Sequence, residues 1–195
     1  MKSLSLEHYT SIVQSDMLSK FAYKNVYGRN SLQNIYINNS DKQTVLDKRR
    51  VVYSLILLEL LGGKRPGFTL ARKSVAGFKL REGVVLGTKL CLRHKNIFSF
   101  LDQFQLQALP SSRGFSGLNI SCFHNKSCVN IGVPDSFIFS DIEIERFKDK
   151  SFLNIGGFNI SLNIPNTELK VLCCLLTSLR IPIKNYPINA KASKK

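Results

Sequence analysis

Acidic residues are scarce in this chain and tryptophan is absent. Only 13 Asp and Glu stand against 28 Lys and Arg, a formal charge of +15 and a pI near 9.8. That balance rules against an acidic, self-solvating polypeptide and favours a nucleic acid or an anionic membrane surface as partner. Long apolar runs are missing as well. The longest, Val51 to Leu61, is interrupted by Tyr53, Ser54 and Glu59 and falls short of the ~20 residues needed to span a bilayer, so nucleic acid is the favoured partner. Cysteines are few and odd in number: Cys91, Cys122, Cys128, Cys173 and Cys174. A fully paired disulfide framework is thereby excluded, and reduced thiols in a reducing compartment are expected. Residues 1–20 contain Glu7 and Asp16 but no arginine, unlike an Arg-rich, acid-poor cleavable presequence. The missing tryptophan goes with abundant Ile, Asn, Lys, Phe and Ser, the bias of an AT-rich genome. An organelle-encoded protein, mitochondrial before plastid or bacterial, is the expectation.

The motifs of catalysis are lacking too. There is no Gly-x-Ser-x-Gly elbow, and Gly63-Lys64 has neither the leading glycine spacing nor the following Ser or Thr of a P-loop. Asp141, Glu143 and Glu145 alternate with Ile142 and Ile144, as on the polar side of an exposed strand or a helix start. Cys122, His124 and Cys128 are too tightly spaced for a structural zinc site, and Cys91 with His94 falls on a different strand. Cys173 and Cys174 sit in an apolar helical pattern and read as small core residues; His8 reads as a surface residue. No catalytic group, metal or cofactor is expected.

What is there is concentrated charge. Between Gly62 and Lys95 lie nine cations (Lys64, Arg65, Arg72, Lys73, Lys79, Arg81, Lys89, Arg93 and Lys95) and one acid, Glu82, a local charge of +8. Six glycines and Pro66 punctuate the same window, so much of it is loop or turn. Cations on a glycine-rich loop, interleaved with Phe68 and Phe78, suit a polyanion whose backbone comes close and whose bases offer flat faces.

Periodicity places helices at residues 4–20, 44–61, with Gly62 as cap, and 96–108, with Asn96 as N-cap and Pro110 closing. A last helix is expected from Asn166. Strands are expected at 32–38, 68–71 and 84–93, as a hairpin of 118–123 with 128–133 across His124-Asn125-Lys126, and over 152–164 with a bend at Gly156-Gly157. The 32–38 strand has Ile35 and Ile37 on one face and a more polar opposite face open to a ligand. The sum is an α+β fold, a largely antiparallel sheet with helices packed on one face and a long basic loop projecting. One domain over 1–184 is followed by a basic arm, 185–195.

The run Thr69-Leu70-Ala71-Arg72-Lys73-Ser74-Val75-Ala76-Gly77-Phe78-Lys79-Leu80-Arg81-Glu82-Gly83, preceded by Gly63-Lys64-Arg65-Pro66 and followed by Leu86-Gly87-Thr88-Lys89-Leu90-Cys91-Leu92-Arg93, resembles the signature of the universal ribosomal large-subunit protein five family. Leu32 to Asn38, Leu109-Pro110 with Arg113 to Leu118, and Ile155 to Ile160 extend the resemblance over about residues 20–184. It implies the same α+β fold, a structural role in the large ribosomal subunit and no enzyme activity. It further implies that a sheet face carrying Asn38, Thr69, Lys89 and Arg93 binds 5S rRNA in the central protuberance; the charge of the window adds Lys64, Arg65, Lys79 and Arg81 as expected RNA contacts. Residues Arg72, Lys73, Ser74, Val75, Ala76, Gly77 and Phe78 would reach P-site tRNA. Large-subunit rRNA, neighbouring large-subunit proteins and a small-subunit head protein are the other implied partners. The family's glycine-rich segment after the first strand is here Asn39-Ser40-Asp41-Lys42, and the usual proline of the second turn is Val85. The competing reading is an RNA-processing or RNA-modifying enzyme that uses the basic loop for grip.

Overall fold

Alternating apolar and polar residues build the centre of this computed structural model, which describes residues 3–184 apart from 22, 24, 46, 113, 120–122, 125–127, 149–155 and 166–167. Strand β1 (Asn34–Ser40) buries Ile35, Ile37 and Asn39 and exposes Tyr36, Asn38 and Ser40. β2 (Gly67–Leu70), β3 (Val85–Arg93), β4 (Phe123–His124), β5 (Cys128–Val133) and β6 (Phe158–Asn163) join it in one sheet of order β2-β3-β1-β6-β5-β4. All pairings are antiparallel. β1 is central, running against β3 from Asn34↔Arg93 to Ser40↔Gly87 and against β6 from Asn34↔Asn163 to Asn38↔Asn159.

Helices cover one face, as the α+β expectation has it. α1 spans residues 4–20 and contains a π-helical turn, Tyr9–Val13. α2 is Arg49–Gly62, α3 spans residues 95–111, α4 is Ser140–Lys148 and α5 is Leu169–Ser178. The core lies between sheet and helices, where Ile35, Ile37, Leu90, Leu92, Ile160 and Leu162 meet Leu57, Leu58, Phe100, Leu101, Leu172 and Leu176. A relay of rings ties α3 to the sheet: Phe100 to Phe139 at 6.2 Å, then Phe139 to Phe158 at 5.8 Å between centroids. α1 closes over α3 through Tyr9 and Phe98, 5.1 Å apart. α2 is pinned to β3 by a buried pair, the Thr88 hydroxyl donating to Ser54 Oγ at 3.3 Å. Such a pair is tolerated in a core because each hydroxyl is satisfied; Ser54 in turn donates to the Val51 carbonyl.

Several boundaries differ from the sequence expectation. α2 starts at Arg49, and residues Lys42–Val45 form a separate 3-10 turn instead. The Asp41 carboxylate holds Arg50 at 2.8 Å and receives the Gln43 N–H, which fixes that turn. The cap of α2 is Gly63, not Gly62: Gly63 takes φ +58° and its N–H reaches the Glu59 carbonyl, the left-handed ending that glycine adopts without a Cβ clash. Asn96 is inside α3, whose N-cap is His94 with no side-chain cap bond. α3 also runs past Pro110, because the π-helical turn Phe104–Ala108 shifts the hydrogen-bond ladder before the residue that has no N–H. Leu118 is not in the hairpin; it makes a parallel bridge to Ile183. Asp141, Glu143 and Glu145 all fall in α4, the helix-start branch of that reading. Asn125 and Lys126 of the expected hairpin turn, the start of the 152–164 strand, the Asn166 helix start, Cys122 and the 185–195 arm lie outside the described residues.

Candidate nucleic-acid interface

The face of the sheet away from the helices carries no apolar core of its own. Its rows follow from the register. Gly67, Lys89, Asn38, Asn159 and Gly132 lie abreast; then Cys91, Tyr36, Ser161 and Asn130; then Arg93, Asn34, Asn163 and Cys128. Thr69, Gly87 and Ser40 form the next row towards the other end. The five asparagines give this face paired donors and acceptors at regular spacing. Lys89 and Arg93 are both exposed and stand four residues apart on β3, about 13 Å along the strand. No Asp or Glu occurs in any of the six strands formed by the described residues. Tyr36 offers an exposed ring amid the amides.

Gly87 is required for this geometry. A Cβ there would collide with the Asn39 carbonyl oxygen and crowd Ser40 Cα. β1 and β3 can therefore approach closely only because position 87 has no side chain. Asn39 itself turns inward and donates from Nδ2 to the Gly157 carbonyl at 3.3 Å, tying β1 to the chain entering β6.

Beyond β2 the chain extends as a hairpin. Ala71 and Val84 close its base, where the Ala71 N–H meets the Val84 carbonyl at 2.9 Å. Val75 and Leu80 pair reciprocally near its tip, around the 3-10 turn Ala76–Phe78. The Ser74 hydroxyl receives the Glu82 N–H at 3.0 Å. Every residue from 72 to 79 is exposed, and Phe78 is 75% exposed. The expected loop is thus a structured arm whose order comes from backbone bonds, with no burial. Its left-handed residues are Lys79, φ 54°, near the tip and Gly83, φ 81°, at the base, while Gly77 has open space around it.

Of the sequence-expected residues, Asn38, Thr69, Lys89 and Arg93 share the open face. Lys79 and Arg81 belong to the arm with Arg72, Lys73, Ser74, Val75, Ala76, Gly77 and Phe78. Lys64 and Arg65 lie in the turn entering β2, at the opposite end of that strand from the arm, and both are exposed. Sequence reasoning placed Tyr36 on the ligand-available face of β1 but missed Asn130, Asn159, Ser161 and Asn163. The alternation Phe158, Ile160, Leu162 against Asn159, Ser161, Asn163 held that signal.

Two of the thiols are made less acidic by their surroundings. Burial pushes the Cys128 thiol above its ordinary value, and burial followed by the neighbouring Cys174 does the same for Cys173. Among the described residues no group of three His, Cys, Asp or Glu could hold a metal ion; no described helix is long and apolar enough to cross a membrane.

Residues 85–183, from the start of β3 to the bridge at Ile183, match the family model for the C-terminus of the ribosomal protein L5 family. Over 179 residues, 92% of this chain and 97% of the relative, it is 32% identical to large ribosomal subunit protein uL5 of Polynucleobacter necessarius subsp. necessarius (strain STIR1). The chain belongs to the ribosomal uL5 family. It is 33% identical to uL5 of Janthinobacterium sp. (strain Marseille), with the same coverage of both chains. It is 31% identical over 132 residues to uL5m of Reclinomonas americana, covering 68% of this chain and 72% of that one. Membership in uL5 makes the protein a structural constituent of the large ribosomal subunit, with rRNA and other ribosomal proteins as its partners. The acid-free strands and cationic arm are what such a place demands.

Proposed function

We propose that the open sheet face binds 5S rRNA within the central protuberance and that the tip of the 71–79 arm contacts P-site tRNA. The observation that supports this most is the row of amides without a single carboxylate. A-form RNA presents 2′-hydroxyls and base edges in a wide, shallow minor groove, which neutral donors and acceptors on a flat face can meet. Lys89 and Arg93 supply phosphate contacts, and Tyr36 an aromatic plane for an unstacked base. The arm suits a partner that arrives and leaves: Arg72 and Lys73 for phosphate, Val75 and Phe78 for stacking. The same placement puts large-subunit rRNA and neighbouring ribosomal proteins around the chain and a small-subunit head protein within its reach.

The organelle reading, a mitochondrial ribosome, rests on the AT-type composition and on the uL5m relative. Fractionation of cells carrying the tagged protein tests it; a tag recovered only with cytosolic ribosomes would sink it.

Isosteric charge placement tests the RNA face. Asn38→Asp with Asn159→Asp keeps shape but puts two carboxylates side by side where phosphates are expected. Binding of a 5S rRNA transcript by the double variant should weaken about 100-fold, with tRNA binding by the arm unchanged. Equal 5S affinity in variant and parent would remove the sheet face from the RNA interface.

A further inference from the structure

α2 is apolar on both of its sides. Its inner side buries Val51, Leu57, Leu58 and Leu61 against the sheet. On its outer side Val52, Ile56 and Leu60, spaced four apart, stand 56%, 36% and 39% exposed. Glu59 is the one charged residue between Arg50 and Gly62. An amphipathic surface helix turns charge outward, and a helix apolar all round is one that is covered on both sides.

A second apolar feature adjoins it. Phe68 is the cross-strand partner of Thr88, whose hydroxyl contacts Ser54 of α2. Phe68 therefore stands on the helix side of the sheet, one strand spacing, about 4.8 Å, from a residue that touches α2. Phe68 is 52% exposed because β2 is the edge strand and overhangs the helix layer; beyond it the register shifts between Thr69 and Leu70. Helix stripe and overhang lie opposite the proposed RNA face.

Charge identifies the occupant. Exposed cations bracket the stripe, Lys48 and Arg49 at the start of α2 and Lys64 and Arg65 just past its end. Those at the start oppose the helix dipole, which favours anions there; Arg50 is met by Asp41, and no acid occupies the first turn of α2. Carboxylates arriving at the start would offset this, and others could pair with Lys64 and Arg65 past the end. Phosphates could meet the cations but not the Val, Ile and Leu between them. A second copy would bring like charges to both ends.

We propose that the outer face of α2, with Phe68, docks a protein of the large subunit that presents an apolar ridge flanked by carboxylates. A photo-crosslinking phenylalanine in place of Ile56, carried by the full chain into assembled large subunits, should give an adduct on a peptide with that composition, identified by mass spectrometry. An adduct on rRNA, on lipid or on a second copy overturns the proposal, as does no adduct from assembled particles. The Ile56→Glu, Leu60→Glu double variant provides the independent arm. It should enter subunits whose content of the crosslinked protein is at least tenfold lower, while the free variant melts at the parent temperature and binds a 5S rRNA transcript within twofold of the parent. Undiminished content of that protein overturns the proposal; weak 5S binding by parent and variant alike would instead count against the RNA-face reading.

Discussion

The open sheet face and the 71–79 arm are both exposed and rich in RNA-compatible groups, yet they are held in opposite ways. On the central strands the residues of the open face alternate with residues sunk in the core; Lys89, for example, is flanked by buried Thr88 and Leu90. The arm has no such anchor; a pair of reciprocal backbone bonds between Val75 and Leu80 sets its tip. A surface already ordered by the core loses little entropy on binding and suits a permanent partner, whereas an arm with few internal contacts can follow a moving one.

The largest effect that can break this comparison is Gly87→Ala. The added methyl meets backbone, not a side chain that could swing away, so destabilisation of about 3 kcal/mol is expected, with RNA binding lost through the fold. Denaturant unfolding measures it; an unchanged midpoint would mean the close β1–β3 approach is not needed. Next is the combined Lys64→Ala, Arg65→Ala, Lys89→Ala, Arg93→Ala variant. Each phosphate contact contributes roughly 0.7 to 0.9 to the log–log salt slope, so the slope for rRNA binding should drop by about 3 if all four act and by about 1.5 if Lys64 and Arg65 are instead taken by the carboxylates of a protein docked on α2. A slope equal to the parent's would assign the affinity elsewhere.

Replacing residues 72–78 with a Gly-Ser linker is expected to change stability by no more than about 0.5 kcal/mol, to leave subunit incorporation intact and to speed P-site tRNA dissociation. Loss of incorporation with normal tRNA retention would reverse the roles of the two regions. The smallest effect concerns Cys173. Burial, then Cys174, raises its thiol pKa above the usual 9.0. The folded state thus disfavours the thiolate: stability is fully present below pH 9 and declines as pH rises through the raised value. Iodoacetamide labelling at pH 8 should spare Cys173 in the folded chain and reach it in denaturant; rapid native labelling would contradict its burial.

Where hydrophobic period and family pattern agree, the sequence is a close guide: the β1 alternation around Ile35 and Ile37, the 84–93 strand within one residue, and the face shared by Asn38, Thr69, Lys89 and Arg93. Ends are less legible because they depend on contacts across the chain. Asp41 draws Arg50 and delays α2, and Gly63, not its neighbour, takes the left-handed turn. The π-helical turn before Pro110 has no periodic signature at all. The asparagines of β5 and β6 escape a search led by charge because they are neutral, and their alignment with β1 is a property of register that no local window contains.

The strand order carries a consequence for how the protein is made. β1 emerges first among the strands but lies between β3 and β6, so one of its edges waits for more than a hundred further residues to be synthesised. Until then a nascent chain has a half-width sheet, an unpaired edge at Asn34–Ser40 and a high contact order still to satisfy, conditions that slow folding and invite wrong pairing. The amide rows across β1 and β6 exist only once β6 has docked. A translation product that stops before β6 therefore lacks the completed face, and under the proposed RNA-face reading recognition would select for chains made at least through Asn163.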